Sequence, residues 1–290
     1  MTLVSKQFLN TLRVHSISNG VPSASNTKKK DGKYTAFLKE PSSVIMLSGG
    51  IDSVAVLKQL LEETNDKIYA HHIHIKNNEG INNFKRYKAE ALALRKIIPY
   101  MKKTFRDFHY SESTIDIRQL TNILFGEYVE EDLELVHRAT YSICDSVCYY
   151  MIGGILSNIT NSSAMYNGEM HPAPQRNYVS DKFFKRHKEQ SSVFYGAAWP
   201  SKAKIKYPFF NTYCKRRNIE YLGKELMDMV WYCRHPIEEN GNILSCNTKI
   251  GLYHKVIEEQ TDEVFKCRSC ADVTSIYLEL RKEQEEKQYA

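Results

Sequence analysis

Four consecutive apolar residues, Val44, Ile45, Met46 and Leu47, run without a polar break into Ser48-Gly49-Gly50, and an amphipathic pattern follows at once. A continuous apolar run of this length is what a strand covered on both faces of a parallel sheet carries; a half-exposed strand would alternate. Beyond the glycines, Val54, Leu57 and Leu61 recur at helical spacing with Lys58, Glu62 and Glu63 outside them, which predicts a helix over about residues 53–63. "KIYAHHIHI" then predicts a second strand, "RYKAEALALRKIIPYM" a helix, and "TFRDFHYSEST" a strand with its exit loop. A long helix is expected over about residues 132–157, with Leu133, Val136, Tyr141, Cys144 and Cys148 at apolar positions, and "SSAMYNGEM" follows as a fourth strand. Strands alternating with helices predict an α/β fold, a doubly wound and mostly parallel Rossmann-like sheet with right-handed crossovers.

On either side the texture differs. "SNGVPSASNTKKKDGK" lacks apolar periodicity, so residues 1–40 are expected to be a flexible extension. After Tyr178 the chain turns basic and aromatic, then helical in "RRNIEYLGKELMDMVW", and ends in a cysteine-bearing tail. The expected organisation is therefore an extension at 1–40, an α/β domain at 41–178 and a smaller substrate-side helical region at 179–290. The sheet is expected to end near residue 170.

Composition narrows the class. No apolar run approaches the roughly 20 residues that span a bilayer, and no secretory block opens the chain. The first residues are basic and free of acids until Asp31, a composition shared with organellar transit peptides, but a cytoplasmic protein is the expected case. A net charge of +6 permits phosphate-bearing partners without demanding them. Basic clusters lie at 28–30, 182–188, 202–206 and 215–217 and are most simply solvated faces.

The strand-to-helix turn carries the chemistry. In an open α/β sheet, ligands sit at the carboxyl ends of strands. Gly49 and Gly50 allow a sharp turn with exposed N–H groups, which with the following helix N-terminus form an anion site. Ser48 and Ser53 add hydroxyls. A carboxylate at Asp52 makes sense beside phosphate if a divalent cation bridges them, so the residues point to a phosphate with Mg²⁺. A tight turn with Ser and Asp as helix caps is the plainer alternative.

Cys267-Arg-Ser-Cys270 is a C-x-x-C knuckle, with Cys233 and Cys246 upstream. Four thiolates suit a tetrahedral structural Zn²⁺; an iron–sulfur cluster or simple burial are the alternatives. Cys144 and Cys148, four apart on an apolar helix, are expected in the core. Of the three histidines His71, His72 and His74, a strand puts the last two on one face and His71 on the other, so they cannot converge locally on a metal.

Ser48-Gly49-Gly50-Ile51-Asp52-Ser53 resembles the SGGxDS signature of the PP-loop ATP pyrophosphatases; a Walker-type G-x-x-x-x-G-K-[ST] is absent. The resemblance implies that residues 47–53, from Leu47 to Ser53, bind ATP with Mg²⁺. It implies cleavage between the α- and β-phosphates and attack on a carboxylate adenylate by a second nucleophile. It also places His72 and His74 near the adenine. Within the superfamily, "SSAMYNGEMH", "YPFFNTYCKRRNIEYLG" and Trp231-Tyr232-Cys233 resemble segments of the 7-cyano-7-deazaguanine synthase family. That implies a substrate pocket at Gly168 and Glu169, catalytic roles for Asp52 and Ser53, and Lys215 or Arg216 neutralising the α-phosphate or carboxylate. The substrates would be a 7-deazaguanine acid and ammonia, and Cys233, Cys246, Cys267 and Cys270 would hold Zn²⁺. Three departures stand out. About twenty residues separate Cys246 from the last two cysteines, Arg216 and Asn218 occupy the family's Lys-x-Glu positions, and "HPAPQRNY" replaces its cysteine-containing acidic loop. Transfer of an activated deazaguanine to a protein or nucleic-acid acceptor, tRNA sulfur transfer and non-catalytic nucleotide sensing are the other functions considered. A homodimer is open, and a membrane partner is not expected.

Overall fold

The structure, a computed structural model, describes residues 41–76, 84–116, 147–169, 180–199, 201–209, 215–233, 236–245 and 268–288. Its centre is β1 (Ser42–Met46), buried along its whole length. Period-two alternation sends Val44 and Met46 to one face and Ile45 and Leu47 to the other, and both faces are covered, which is why the run is apolar throughout. A parallel partner flanks it on each side: β2 (Lys67–Lys76) in register Val44↔Tyr69, and β4 (Ala164–Tyr166) in register Val44↔Met165. With β3 (His109–Asp116) beyond β2 and β5 (Lys204–Lys206) beyond β4, the order is β3-β2-β1-β4-β5, all parallel.

Six helices accompany this sheet among the described residues. On one face, α1 (Ile51–Glu63) and α2 (Phe84–Thr104) bury Val54, Leu57, Leu94 and Ile97 against Ile45, Leu47, Ile68 and Ala70. The same core takes in Ile219, Leu222 and Leu226 of α5 (Lys215–Met227) and Val273 and Ile276 of α6 (Arg268–Gln288). On the opposite face, α3 (Tyr149–Ile159) and α4 (Ser180–Ala197) pack Tyr150, Ile152 and Phe194 against Val44, Met46, Tyr69 and Ile73. Strand order therefore reverses between β1 and β4, the switch point at which open α/β sheets leave a crevice beyond their carboxyl ends.

Two expectations change. The sheet does not end near residue 170: "KIK" at 204–206 adds β5 to β4, with Lys204 N–H donating to Ser163 O and Asn167 N–H to Lys206 O, both at 3.0 Å. Three residues with exposed lysines at each end give no apolar run to read. The helix predicted over "RRNIEYLGKELMDMVW" stops at Met227 and is interrupted at Gly223, which has φ +70°. Beyond it, β6 (Ile237–Glu239) and β7 (Asn242–Leu244) form an antiparallel hairpin turned by Asn240 and Gly241, both at positive φ. The extension at 1–40 and residues 132–146 of the long helix lie outside the described residues; Cys148 is buried as expected. No helix among the described residues is long and apolar enough to cross a membrane.

Candidate phosphate-binding site

The glycine turn stands at the switch point. Leu47 N–H continues the parallel ladder to His71 O at 2.7 Å, and Leu47 O accepts from His72 Nδ1 at 2.8 Å, so the last residue before the turn is held at both backbone groups. The two serines then close a ring inside the turn. Gly50 N–H donates to Ser48 Oγ at 3.3 Å, Ser48 Oγ lies 3.1 Å from Ser53 Oγ, and Ser53 Oγ donates to Gly50 O at 3.2 Å. The hydroxyls therefore shape the loop rather than point out of it. Gly49 has φ +76°, and a Cβ there would come within 3.2 Å of Leu94 Cγ and 3.3 Å of Glu90 O, so this position needs glycine for conformation and for space. Its carbonyl accepts from Trp231 N–H at 2.9 Å.

Gly50 caps α1 with its backbone alone, and no side-chain cap bonds the helix start among the described residues. An uncapped helix N-terminus beside two glycines is chemically suited to an anion. Against that N-terminus lies the loop after β4. A Cβ on Gly168 would stand 2.8 Å from Asp52 C and 2.9 Å from Ser53 N.

Asp52 is the point where three elements meet. One carboxylate oxygen is bound by Lys215 Nζ, and the other accepts from Asn218 Nδ2 at 3.1 Å. Lys215 and Asn218 are three apart on α5 and so share a face. Arg216 is turned away. Its guanidinium bonds Glu283 at 2.6 Å and Glu220 at 3.2 Å, fastening α5 to α6 instead of facing Asp52. On sequence Lys215 and Arg216 are equivalent candidates; the geometry brings only Lys215 to the turn. Asn218, 1 % exposed, is the site residue to which sequence reasoning assigned no role; its spacing from Lys215 was the available signal.

The remaining candidates form two flanking groups. Glu169 accepts from Tyr150 Oη at 2.9 Å, and the same hydroxyl accepts from Asn167 Nδ2 at 2.7 Å. Burial and the nearby Glu169 carboxylate push the Tyr150 phenol up. On the other side of the turn, His72 and His74 stack edge to face with ring centroids 4.5 Å apart, and His74 Nε2 meets Glu112 at 2.9 Å. Hydrogen bonding from His74, partly opposed by burial, holds the Glu112 carboxyl down at about 2. His71 faces the opposite way as expected, between Ser111 and Ser113 at 2.8 and 2.9 Å.

Burial pulls His71 down to about 4 and His72 to about 3, so both are neutral at pH 7. Because Leu47 O accepts from His72 Nδ1, that nitrogen carries the proton and Nε2 is a bare acceptor. Unfolded histidine titrates near 6.5. Below that value the unfolded chain binds protons that the folded chain refuses, so stability is full above about pH 6.5 and falls as pH drops toward 4. The slope is about 1.4 kcal/mol per pH unit for each histidine. Glu112 does not offset this above pH 4.5, where it is ionised in both states. Thermal unfolding between pH 7.5 and 5 should show the decline, and a flat profile would contradict two buried neutral imidazoles.

Cys233 and Cys270 are buried in one small cluster covered by Trp231 and Tyr232, and Ser245 Oγ, next in sequence to Cys246, lies 3.5 Å from Cys270 Sγ. Cys246 and Cys267 lie outside the described residues, and no group of three metal-ligating side chains occurs among those described. Two buried thiols in one cluster, with Cys270 touching the residue beside a third cysteine, are chemically compatible with the thiolate donors that Zn²⁺ takes.

No protein-family model matches the chain, and a search of the curated proteins finds no significant relative, so the site's function rests on its own geometry.

Proposed function

We propose that this chain is an ATP-dependent ligase that cleaves ATP to AMP and pyrophosphate while adenylating a carboxylate. The acid is of the 7-deazaguanine type; ammonia displaces AMP from the acyl adenylate to give the amide, and a second ATP activates the amide oxygen so that it leaves with AMP, with loss of two N–H protons, as the nitrile forms. What carries the reading is the meeting of three elements at the β1–β4 switch point: the uncapped N-terminus of α1, the Gly168 loop pressed against it, and Asp52 held by Lys215 and Asn218.

Bound with Mg²⁺, ATP supplies an electrophilic α-phosphorus. The chain's part is placement and charge. The first N–H groups of α1 bring partial positive charge to the crevice. Lys215 brings a full positive charge to the same place, fixed in position by Asp52 before any ligand arrives. Preorganised charge of this kind accounts for most of the acceleration in phosphoryl-type transfer. Asp52 keeps lone pairs beyond its two bonds and can serve a divalent cation. Trp231 ties the glycine turn to the cysteine cluster through its N–H to Gly49 O, so a structural Zn²⁺ at Cys233, Cys246, Cys267 and Cys270 would steady that turn.

The test is a product analysis of purified protein with Mg·ATP, 7-carboxy-7-deazaguanine and ammonium, alongside elemental analysis for zinc. The expected result is AMP with an amide or nitrile, and about one zinc per chain that Cys270→Ser loses. ATP left intact with every acid offered would overturn the ligase reading. AMP without a modified deazaguanine would keep the ATP chemistry and discard the acid.

A further inference from the structure

We infer that the outer edge of the sheet, from α4 over the α4–β5 connection to β5, is a binding surface for single-stranded nucleic acid. The inference does not rest on the ATP reading.

The pattern begins on α4. Lys188, Ser192, Tyr195 and Trp199 follow one another at intervals of four, three and four residues, so they fall on one line of the helix and its extension. All four are exposed, Tyr195 to 51 % and Trp199 to 79 %. Helical rise spreads that line over about 16 Å. Beyond Trp199, Lys202 ahead of β5 and Lys204 and Lys206 on it are exposed in their turn. Strand alternation puts Lys204 and Lys206 on one face, with Ile205 packed inward between them. Residues 187–209 thus hold four lysines and a single acid, Glu189. None of the four lysines forms an ion pair with a described residue; Lys206 instead donates to Tyr166 Oη at 3.0 Å and lies 5.1 Å from the centre of that ring.

Two plainer explanations cover only part of this. Lysines on an edge strand discourage strand-to-strand aggregation, which accounts for Lys204 and Lys206. Scattered apolar residues on a surface need no explanation. Neither accounts for a tryptophan left almost wholly in water on a fixed backbone. Trp199 O accepts from Asn158 Nδ2 at 3.1 Å, and the flanking turn is fastened by Ala198 N–H to Phe194 O at 2.8 Å and Ser201 N–H to Ala198 O at 2.6 Å. An exposed ring on a fastened backbone, flanked by exposed cations, is what stacks on an unpaired base while lysines track the phosphates. Duplex DNA or RNA hides its base faces, so the single strand is the form that fits. At its upper end the strip reaches the candidate site, because Asn167 N–H bonds Lys206 O and Gly168 follows directly.

The test uses the full chain and short fluorescein-labelled RNA and DNA oligonucleotides of mixed sequence, single-stranded and duplex, read by anisotropy at several salt concentrations. Single strands are expected to bind and to quench tryptophan emission. Trp199→Ala should remove most of the quenching and weaken binding on the order of tenfold, the scale of one lost stack. Lys202→Glu with Lys204→Glu should lower the slope of log affinity against log salt by about 1.4, roughly 0.7 for each phosphate no longer neutralised. Asp52→Ala should bind as the parent does, which separates this surface from the ATP site. Absence of binding at low salt, equal affinity for duplex, or binding untouched by both surface variants would overturn the proposal. So would a change of oligomeric state in Trp199→Ala, which would make the patch an interface between copies.

Discussion

Replacing Lys215 with alanine should lower the rate of AMP formation by about 10²–10³, the scale of losing one preorganised charge from a transfer site, while Arg216→Ala should stay within a few-fold of the parent. Both residues begin α5 and both are cations, so the difference lies in where they point. Lys215 is less than one-fifth exposed and binds the Asp52 carboxylate. Arg216 reaches Glu220, Glu279 and Glu283 in exposed pairs that solvent screens, so it contributes little either to stability or to the turn. Asp52→Ala should match Lys215→Ala, because it leaves the ammonium without the partner that positions it and removes the oxygens available to a cation. The double variant should be little worse than either single, since the two residues act as one unit. Steady-state AMP formation measures the rates, and affinity for a fluorescent ATP analogue gives a second readout that does not depend on having the right acid. Equal losses in Lys215→Ala and Arg216→Ala would show that α5 matters as a helix and not as the carrier of one charge.

How much of this was legible follows from the range of each signal. The β1–turn–α1 unit was read in place because burial on both faces, the glycine turn and helical spacing are local properties of neighbouring residues, and each leaves its own mark. The same is true of His72 and His74, whose common face is a consequence of strand alternation and whose rings do meet. What the sequence withheld is set by packing between distant segments. Nothing in "KRRNIEYL" distinguishes Lys215 from Arg216, because the choice is made by which way α5 is rolled against α1, and that roll is fixed by Ile219, Leu222 and Leu226 entering the core. β5 escaped for a related reason: three residues at a sheet edge, with two exposed lysines, carry almost no apolar content. The hairpin at 237–244 was available from Asn240-Gly241, the residue pair that a two-residue turn with two positive φ values prefers. Of the four cysteines that the spacing suggested, the fold brings Cys233 and Cys270 into one cluster although 37 residues separate them in the numbering, and Cys246 and Cys267 lie outside the described residues.

Gly168→Ala is the substitution expected to damage both stability and activity most for the smallest chemical change. The added methyl carbon would stand 2.8 Å from Asp52 C, 2.9 Å from Ser53 N and 3.0 Å from Asp52 O. All three are backbone atoms at the start of α1, so no side-chain rotation relieves the crowding; either the helix or the loop after β4 must move. Overpacking of this kind costs typically 1–3 kcal/mol, which corresponds to a fall in Tm of several degrees in a chain of this size. The displacement falls on the turn that presents the helix N-terminus, and misplacement of about 1 Å in a site of this type can cost 10²-fold in rate. Gly223→Ala is the matched control. Gly223 has φ +70° but nothing within 4 Å of its Cβ position, so its cost, roughly 1–2 kcal/mol, is conformational and confined to α5. Chemical denaturation and AMP formation on both variants separate the two causes. Loss of stability in both, with loss of activity beyond that in Gly168→Ala alone, would place the crowding at Asp52 and Ser53; a Gly168→Ala protein with the parent's Tm and rate would mean that the β4 loop does not press on the start of α1 at all.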